Sequence, residues 1–242
     1  MTQPILAIAF SLDARRQAMV GETIAGRADW VCLSGMGPDR RAKTLREATV
    51  LLAWNTGRDL HPGEAALLRN ARLIQFMTAG VDFIPLTELP SGVPVASNGG
   101  AYAEPMAEHA LAMALAAAKR LHVEQAKLAR GTFDQMARNR MLAGGVCGIL
   151  GFGGVGTAMA RLARAIGMRV HAINRRGASA ESVDWIGTPD RLDDLLATSD
   201  LLVISLPLTH ATRGIIGAPA LARMKPDAIL VNLARGEIIE EA

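Results

Sequence analysis

The fold is decided by the stretch Val146-Cys147-Gly148-Ile149-Leu150-Gly151-Phe152-Gly153-Gly154-Val155-Gly156. A short apolar run reads as a strand, a glycine-rich turn follows it, and Thr157 to Ile166 then carries a helical pattern. G-x-G-x-x-G between a strand and a helix is the setting in which such a turn cradles a pyrophosphate. Each glycine has its own reason. Gly151 permits the tight turn, Gly153 lets phosphate approach the backbone, and Gly156 lets the helix pack closely on the strand. The helix N-terminus adds N–H groups and the positive end of a dipole. A dinucleotide is therefore the expected ligand of Gly151, Phe152, Gly153, Gly154, Val155 and Gly156. The plainer reading is an ordinary glycine-rich turn.

The next strand-like run, Arg169 to Ile173, leads to Asn174, eighteen residues past Gly156. An NAD-specific site places Asp or Glu there, to bind the ribose hydroxyls and repel a 2′-phosphate. This chain has Asn174-Arg175-Arg176 instead. Asn keeps a hydrogen-bonding group without the repulsive charge, and a guanidinium grips a phosphate at two points. NADP(H) is expected in preference to NAD(H). The competing view is two arginines on a solvated loop.

Outward from this point, strand-like runs alternate with helical stretches. The first half offers runs at Ile5 to Phe10, Trp30 to Leu33, Val50 to Trp54, Leu73 to Met77 and Val93 to Ala96. Helical character appears at Ala14 to Ala25 and Pro62 to Asn70. The second half adds strands at Val146 to Leu150, Arg169 to Ile173, Leu201 to Leu206 and Ala228 to Leu233. This alternation implies parallel sheets with helices on both faces. The expected class is α/β, with two Rossmann-like parallel-sheet domains over 1–99 and 100–242. Asn98-Gly99-Gly100 is a turn cluster suited to a hinge, and a long interdomain helix is expected over about 103–130.

Half of the 242 residues are hydrophobic, enough for a sizeable core, so disorder is excluded as the main reading. The 26 basic and 23 acidic side chains are spread without long runs, which speaks against a nucleic-acid surface. Cys32 and Cys147 stand far apart and offer neither a disulfide framework nor a metal site, as suits a reducing, cytoplasmic setting. Met106 to Ala118 is interrupted by Glu108 and His109, and is short of the roughly 20 residues that cross a bilayer. Met-Thr-Gln-Pro before Ile5 lacks a basic segment, so the start reads as a first strand and not as a signal peptide.

Three further segments carry a family resemblance: Leu201 to Thr209, then Thr212-Arg213-Gly214-Ile215-Ile216, then Met224-Lys225-Pro226 through Val231-Asn232-Leu233-Ala234-Arg235-Gly236. In order and spacing they resemble the D-isomer-specific 2-hydroxyacid dehydrogenases. Ala79-Gly80-Val81-Asp82 looks like that family's substrate-carboxylate loop, and Asn98 to His109 like its interdomain segment. The arginine pair looks most like the NADPH-dependent glyoxylate and hydroxypyruvate reductases. The resemblance implies a flavodoxin-like substrate domain, a dinucleotide-binding domain left incomplete at its C-terminus, and a homodimer. It further implies reduction of a small 2-oxo acid to the 2-hydroxy acid. Arg235 would bind the substrate carboxylate and stabilise charge on the ketone oxygen, at a strand end where such folds bind ligands. N–H groups at Gly80 and Val81 would take the carboxylate as well, while Leu206, Pro207, Thr212 and Ala234 would line the dinucleotide path.

In the family, a glutamate and a histidine downstream of Asn-x-x-Arg-Gly form the acid–base pair. This chain stops at Ala242, six residues after Gly236, with no residue in either place. It therefore looks like a truncated member, expected to be inactive alone. His61, His109, His122, His171 and His210 each read as structural, and Glu237, Glu240 and Glu241 as the charged first turn of a helix. A dinucleotide-binding regulatory module, akin to the corepressors that share the fold, is the alternative, and a non-functional remnant is the bluntest reading.

Overall fold

A computed structural model describes residues 3–241; Met1 and Thr2 of the expected non-signal start, and the final Ala242, lie outside the described residues. The chain divides into two compact units, Met1–Gly99 and Gly100–Ala242. Neither unit contains a helix long and apolar enough to cross a membrane, among the described residues.

The first unit runs β1 (Ile5–Ile8), α1 (Ala14–Ile24), β2 (Asp29–Cys32), α2 (Pro38–Glu47), β3 (Val50–Ala53), α3 (Thr56–Asp59), β4 (Leu73–Phe76) and β5 (Val95–Ala96). Its five strands are parallel in the order β2-β1-β3-β4-β5, the flavodoxin-like arrangement. Every second residue turns to one face, so that Ala7, Ala9, Leu51, Ala53, Ile74 and Phe76 share a core with Leu33, Leu45 and Leu68. Under α2, buried Arg41 donates from Nε to both Glu64 oxygens at 2.7 and 2.9 Å, and its other nitrogens donate to the Leu33 and Asp59 carbonyls.

Helix α2 has no counterpart in the sequence reading. It is strongly polar and buries only Arg41 and Leu45, so its apolar stripe is too thin to register. The helix expected over Pro62 to Asn70 is a single 3-10 turn, Glu64–Leu67. There the Glu64 carboxylate caps the His61 N–H and holds Arg41, which favours a tight turn over a continuing helix.

The second unit runs α4 (Ala103–Ala118), α5 (Leu121–Leu128), β6 (Val146–Leu150), α6 (Gly154–Ala165), β7 (Arg169–Ile173), β8 (Trp185–Gly187), α7 (Leu192–Thr198), β9 (Leu201–Ile204), α8 (Ala218–Leu221) and β10 (Ile229–Asn232). All pairings are parallel, in the order β10-β9-β6-β7-β8. Counted within the unit, that is the 3-2-1-4-5 part of the dinucleotide-binding order. The strands are covered on both faces. Cys147, Ile149, Leu201 and Val203 join the core under α4 and α6, whereas Leu150, Leu202 and Ile204 join Leu195 and Leu196 of α7.

Ala107, Ala110, Ala114 and Ala118 form the buried stripe of α4, and alanine there lets it approach α6 closely. The single long helix expected over 103–130 is broken: Arg120 takes a left-handed φ of 53° between α4 and α5. Alanine and leucine on both sides hide that break from a propensity argument. Strand β8 has no counterpart in the sequence reading, being three residues long with a glycine at its end. The last correction concerns Glu237, Glu240 and Glu241. Gly236–Ile238 is a 3-10 turn, and the backbone beyond it pairs at an Ile216–Ile239 bridge because buried Ile238 pulls the chain back across the loop.

Candidate cofactor site

Open parallel sheets bind ligands beyond the carboxyl ends of their strands, where the strand order reverses. In the second unit that reversal lies between β6 and β9, and the candidate residues follow the carboxyl ends of β6, β7, β9 and β10.

The turn after β6 matches the roles read from its glycines. Gly151 has φ of +103°, and a Cβ on it would stand 2.8 Å from the Ser205 carbonyl carbon. A Cβ on Gly156 would stand 2.5 Å from the Gly151 oxygen. Helix α6 begins at Gly154, inside the motif and earlier than the expected Thr157, with Gly153 as its N-cap. No side chain caps this helix among the described residues, whereas Asp13 and Asn55 cap α1 and α3. The first-turn N–H groups at Gly154, Val155 and Gly156 therefore have neither an intrahelical nor a side-chain acceptor. A Cβ at Gly153 meets nothing within 4 Å. An open cradle in front of an uncapped helix N-terminus fits a dinucleotide pyrophosphate. Phe152 is buried and its N–H donates to the Ile173 carbonyl at 3.0 Å.

After β7, Asn174 organises its own loop. Its Oδ1 accepts the Arg176 N–H at 2.9 Å and its Nδ2 donates to the Ala178 carbonyl at 2.9 Å. The turn displays Arg175 and Arg176 to solvent, and neither pairs with a carboxylate among the described residues. After β9, Leu206 packs on the core and leads into a loop folded by Thr212. The Thr212 hydroxyl donates to the Pro207 carbonyl at 2.7 Å and accepts the Thr209 N–H at 2.8 Å. After β10, the Asn232 amide brackets a turn. Its Oδ1 accepts the Ala234 N–H at 2.9 Å and its Nδ2 donates to the Arg235 carbonyl at 2.8 Å. Arg235 is half-buried, with Nη1 donating to the Ala234 carbonyl at 2.9 Å.

In the first unit, Gly80 and Val81 lie in the turn after β4, with the Val81 carbonyl accepting the Ile84 N–H. Sequence reasoning missed two buried hydroxyls at neighbouring strand ends in this unit. Thr56 Oγ1 and Thr78 Oγ1 have no hydrogen-bond partner among the described residues. It also missed the structural roles of Ser205 and Asn232, quoted there only as parts of longer segments, whose side chains bond to main-chain atoms.

The histidines are dispersed over the fold. His109 and His122 stand on α4 and α5, and His61 and His210 in exposed loops. His171 in β7 touches Thr198 at 3.0 Å and Trp185, and burial holds its imidazole below the ordinary value, with Arg169 adding to the effect. No group of three metal-ligating side chains occurs among the described residues.

The sequence profile described as D-isomer specific 2-hydroxyacid dehydrogenase, NAD binding domain, matches residues 111–242. A glyoxylate reductase of Aeropyrum pernix is 38% identical over 181 residues, covering 70% of this chain and 53% of the relative. A D-3-phosphoglycerate dehydrogenase of Mycobacterium tuberculosis is 30% identical over 247 residues, covering 100% of this chain and 45% of the relative. The chain thus spans about half the length of these curated relatives. Among solved structures, a D-isomer specific 2-hydroxyacid dehydrogenase family protein of Aeromonas salmonicida superposes with a TM-score of 0.85 at 23% identity, over 99% of this chain and 76% of that one.

Proposed function

The chain belongs to the D-isomer-specific 2-hydroxyacid dehydrogenase family, and from that premise we propose that it binds NADP(H) in preference to NAD(H) and serves reduction of a small 2-oxo acid of the glyoxylate or hydroxypyruvate kind. The observation that carries the cofactor reading is the open cradle at Gly153 before an uncapped α6, with two unpaired guanidiniums displayed by the next strand's loop. Gly154, Val155 and Gly156 would hold the pyrophosphate, and Arg175 and Arg176 the 2′-phosphate, each guanidinium contact contributing roughly 1.5–3 kcal/mol. When bound, the nicotinamide supplies hydride.

Arg235 would grip the substrate carboxylate and stabilise the oxygen that gains charge, its backbone fixed by Asn232. Gly80 and Val81 in the first unit would offer N–H groups to the same class of anion. Leu206, Pro207, Thr212 and Ala234 would line the cofactor's path. Exposed Leu121, Leu128, Phe133 and Met136 in the second unit support self-association as a dimer. The two free cysteines accord with a reducing, cytoplasmic setting.

The test is calorimetric. Oxamate, an unreactive 2-oxo acid analogue, should bind the NADPH-loaded chain, and Arg235→Lys should weaken oxamate at least tenfold while leaving NADPH affinity within twofold. Equal oxamate affinity in the two proteins would remove Arg235 from the substrate site. A regulatory module would bind NADPH and no oxamate.

A further inference from the structure

The peptide unit joining Gly151 to Phe152 is held at both ends by the strands that flank β6. Its carbonyl accepts the Ser205 hydroxyl at 2.7 Å, from the carboxyl end of β9. Its N–H donates to the Ile173 carbonyl at 3.0 Å, at the carboxyl end of β7. Gly151's own N–H goes to the same Ile173 carbonyl at 3.1 Å. With these donors spent, the free N–H groups of the motif are those at the start of α6.

The Gly151 carbonyl has no slack elsewhere. A Cβ on Gly156 would stand 2.5 Å from its oxygen, and a Cβ on Gly151 would meet Ser205 main-chain atoms at 2.8 and 2.9 Å. The carbonyl thus lies between the first turn of α6 and the end of β9. Among the described residues, the side chain that hydrogen-bonds to it is Ser205.

We infer that Ser205 is a positioning residue for dinucleotide binding: its hydroxyl sets the tilt of the Gly151–Phe152 peptide, and through it the aim of the N–H groups at Gly154, Val155 and Gly156. A buried carbonyl that loses its donor seeks another. Without the hydroxyl the peptide can rotate about the Ile173 bond, and the next residue in the chain is Gly153, the N-cap. The effect should fall on the pyrophosphate, which the proposed reading seats at the start of α6, and not on the adenosine, which that reading seats beyond β7 beside Arg175 and Arg176. This inference rests on the dinucleotide reading of the second unit, and the experiment separates the two.

The experiment measures ADP-ribose, NADPH and adenosine binding to the wild-type chain and to Ser205→Ala, Ser205→Cys and Ser205→Thr, with thermal melts of each. Loss of one hydrogen bond of this kind corresponds to roughly three- to tenfold. Ser205→Ala should weaken ADP-ribose and NADPH by that factor, leave adenosine within twofold, and be rescued by Ser205→Thr, which restores the hydroxyl. Equal affinity of Ser205→Ala and wild type for ADP-ribose overturns the inference, as does an equal loss for adenosine, which would mark a general structural defect. If Ser205→Ala does not fold, the near-isosteric Ser205→Cys decides: its weak donor must show the same selective loss, and wild-type behaviour overturns the inference. A wild-type chain that binds no dinucleotide overturns the underlying reading, and the inference with it.

Discussion

Gly153→Ala separates a glycine kept for the ligand from one kept for the fold. At Gly153 the backbone has φ of −102° and a Cβ would meet nothing within 4 Å, so the unliganded chain has room for a methyl. Alanine is a poorer N-cap than glycine by less than about 1 kcal/mol, a shift of roughly 2–4 °C in Tm for a chain of this size. The methyl enters the space at the N-terminus of α6, where a pyrophosphate must come against the backbone. Forcing the phosphate back breaks at least one charge-assisted hydrogen bond, about 1.5–3 kcal/mol, or roughly 10- to 150-fold in affinity. Binding should therefore fall far more than stability. Gly151→Ala provides the contrast, because φ of +103° and a main-chain neighbour at 2.8 Å add backbone strain of about 1–3 kcal/mol to overpacking of similar size. That variant should lose both stability and binding. The assay is a melt without ligand, followed by titration with NADPH. A Gly153→Ala protein that melts like wild type and binds NADPH like wild type would refute the placement of the pyrophosphate.

Two further outcomes are expected in the fold itself. Burial alone would raise the Glu64 carboxyl, but the Arg41 guanidinium and the His61 N–H outweigh it and hold it below the ordinary carboxylate range. Its contribution is complete above that range and is lost as pH falls through the depressed value. Glu64→Gln should therefore flatten the acid side of the stability profile and cost about 3–5 kcal/mol at neutral pH, since it strands the buried Arg41 charge. Urea melts against pH would check this, and an unchanged acid slope would count against it. Burial pushes the Cys147 thiol up to about 12. Iodoacetamide should label Cys32 in the native chain and reach Cys147 only on unfolding, as mass spectrometry of the labelled peptides would read; rapid native labelling of Cys147 would contradict its place in the core.

The sequence made the sheet strands legible wherever burial on both faces produced continuous apolar runs, as at Val146–Leu150 and Leu201–Ile204. It concealed what depends on few residues. Helix α2 buries only Arg41 and Leu45, β8 is three residues long, and the α4–α5 break rests on the φ of Arg120. The glycine turn was legible because its steric demands are written in residue type. The roles of Ser205 and Asn232 were not, because residue type does not say which main-chain atoms a side chain bonds: Asn232 closes its own turn, and Ser205 reaches Gly151 in another loop. Asn174 shows the limit from the other side. Its position at the strand end was legible, but its amide closes the loop that displays Arg175 and Arg176.

The most direct measurement is a calorimetric titration of the 242-residue chain with NADPH and with NADH, repeated on the Arg175→Ala, Arg176→Ala double variant. Two charge-assisted contacts to a 2′-phosphate, discounted for the exposure of both arginines, should favour NADPH by roughly tenfold or more. The double variant should bring the two affinities together by weakening NADPH alone. NADH binding as tightly as NADPH in the wild-type chain, or a preference that survives loss of both arginines, would contradict the account.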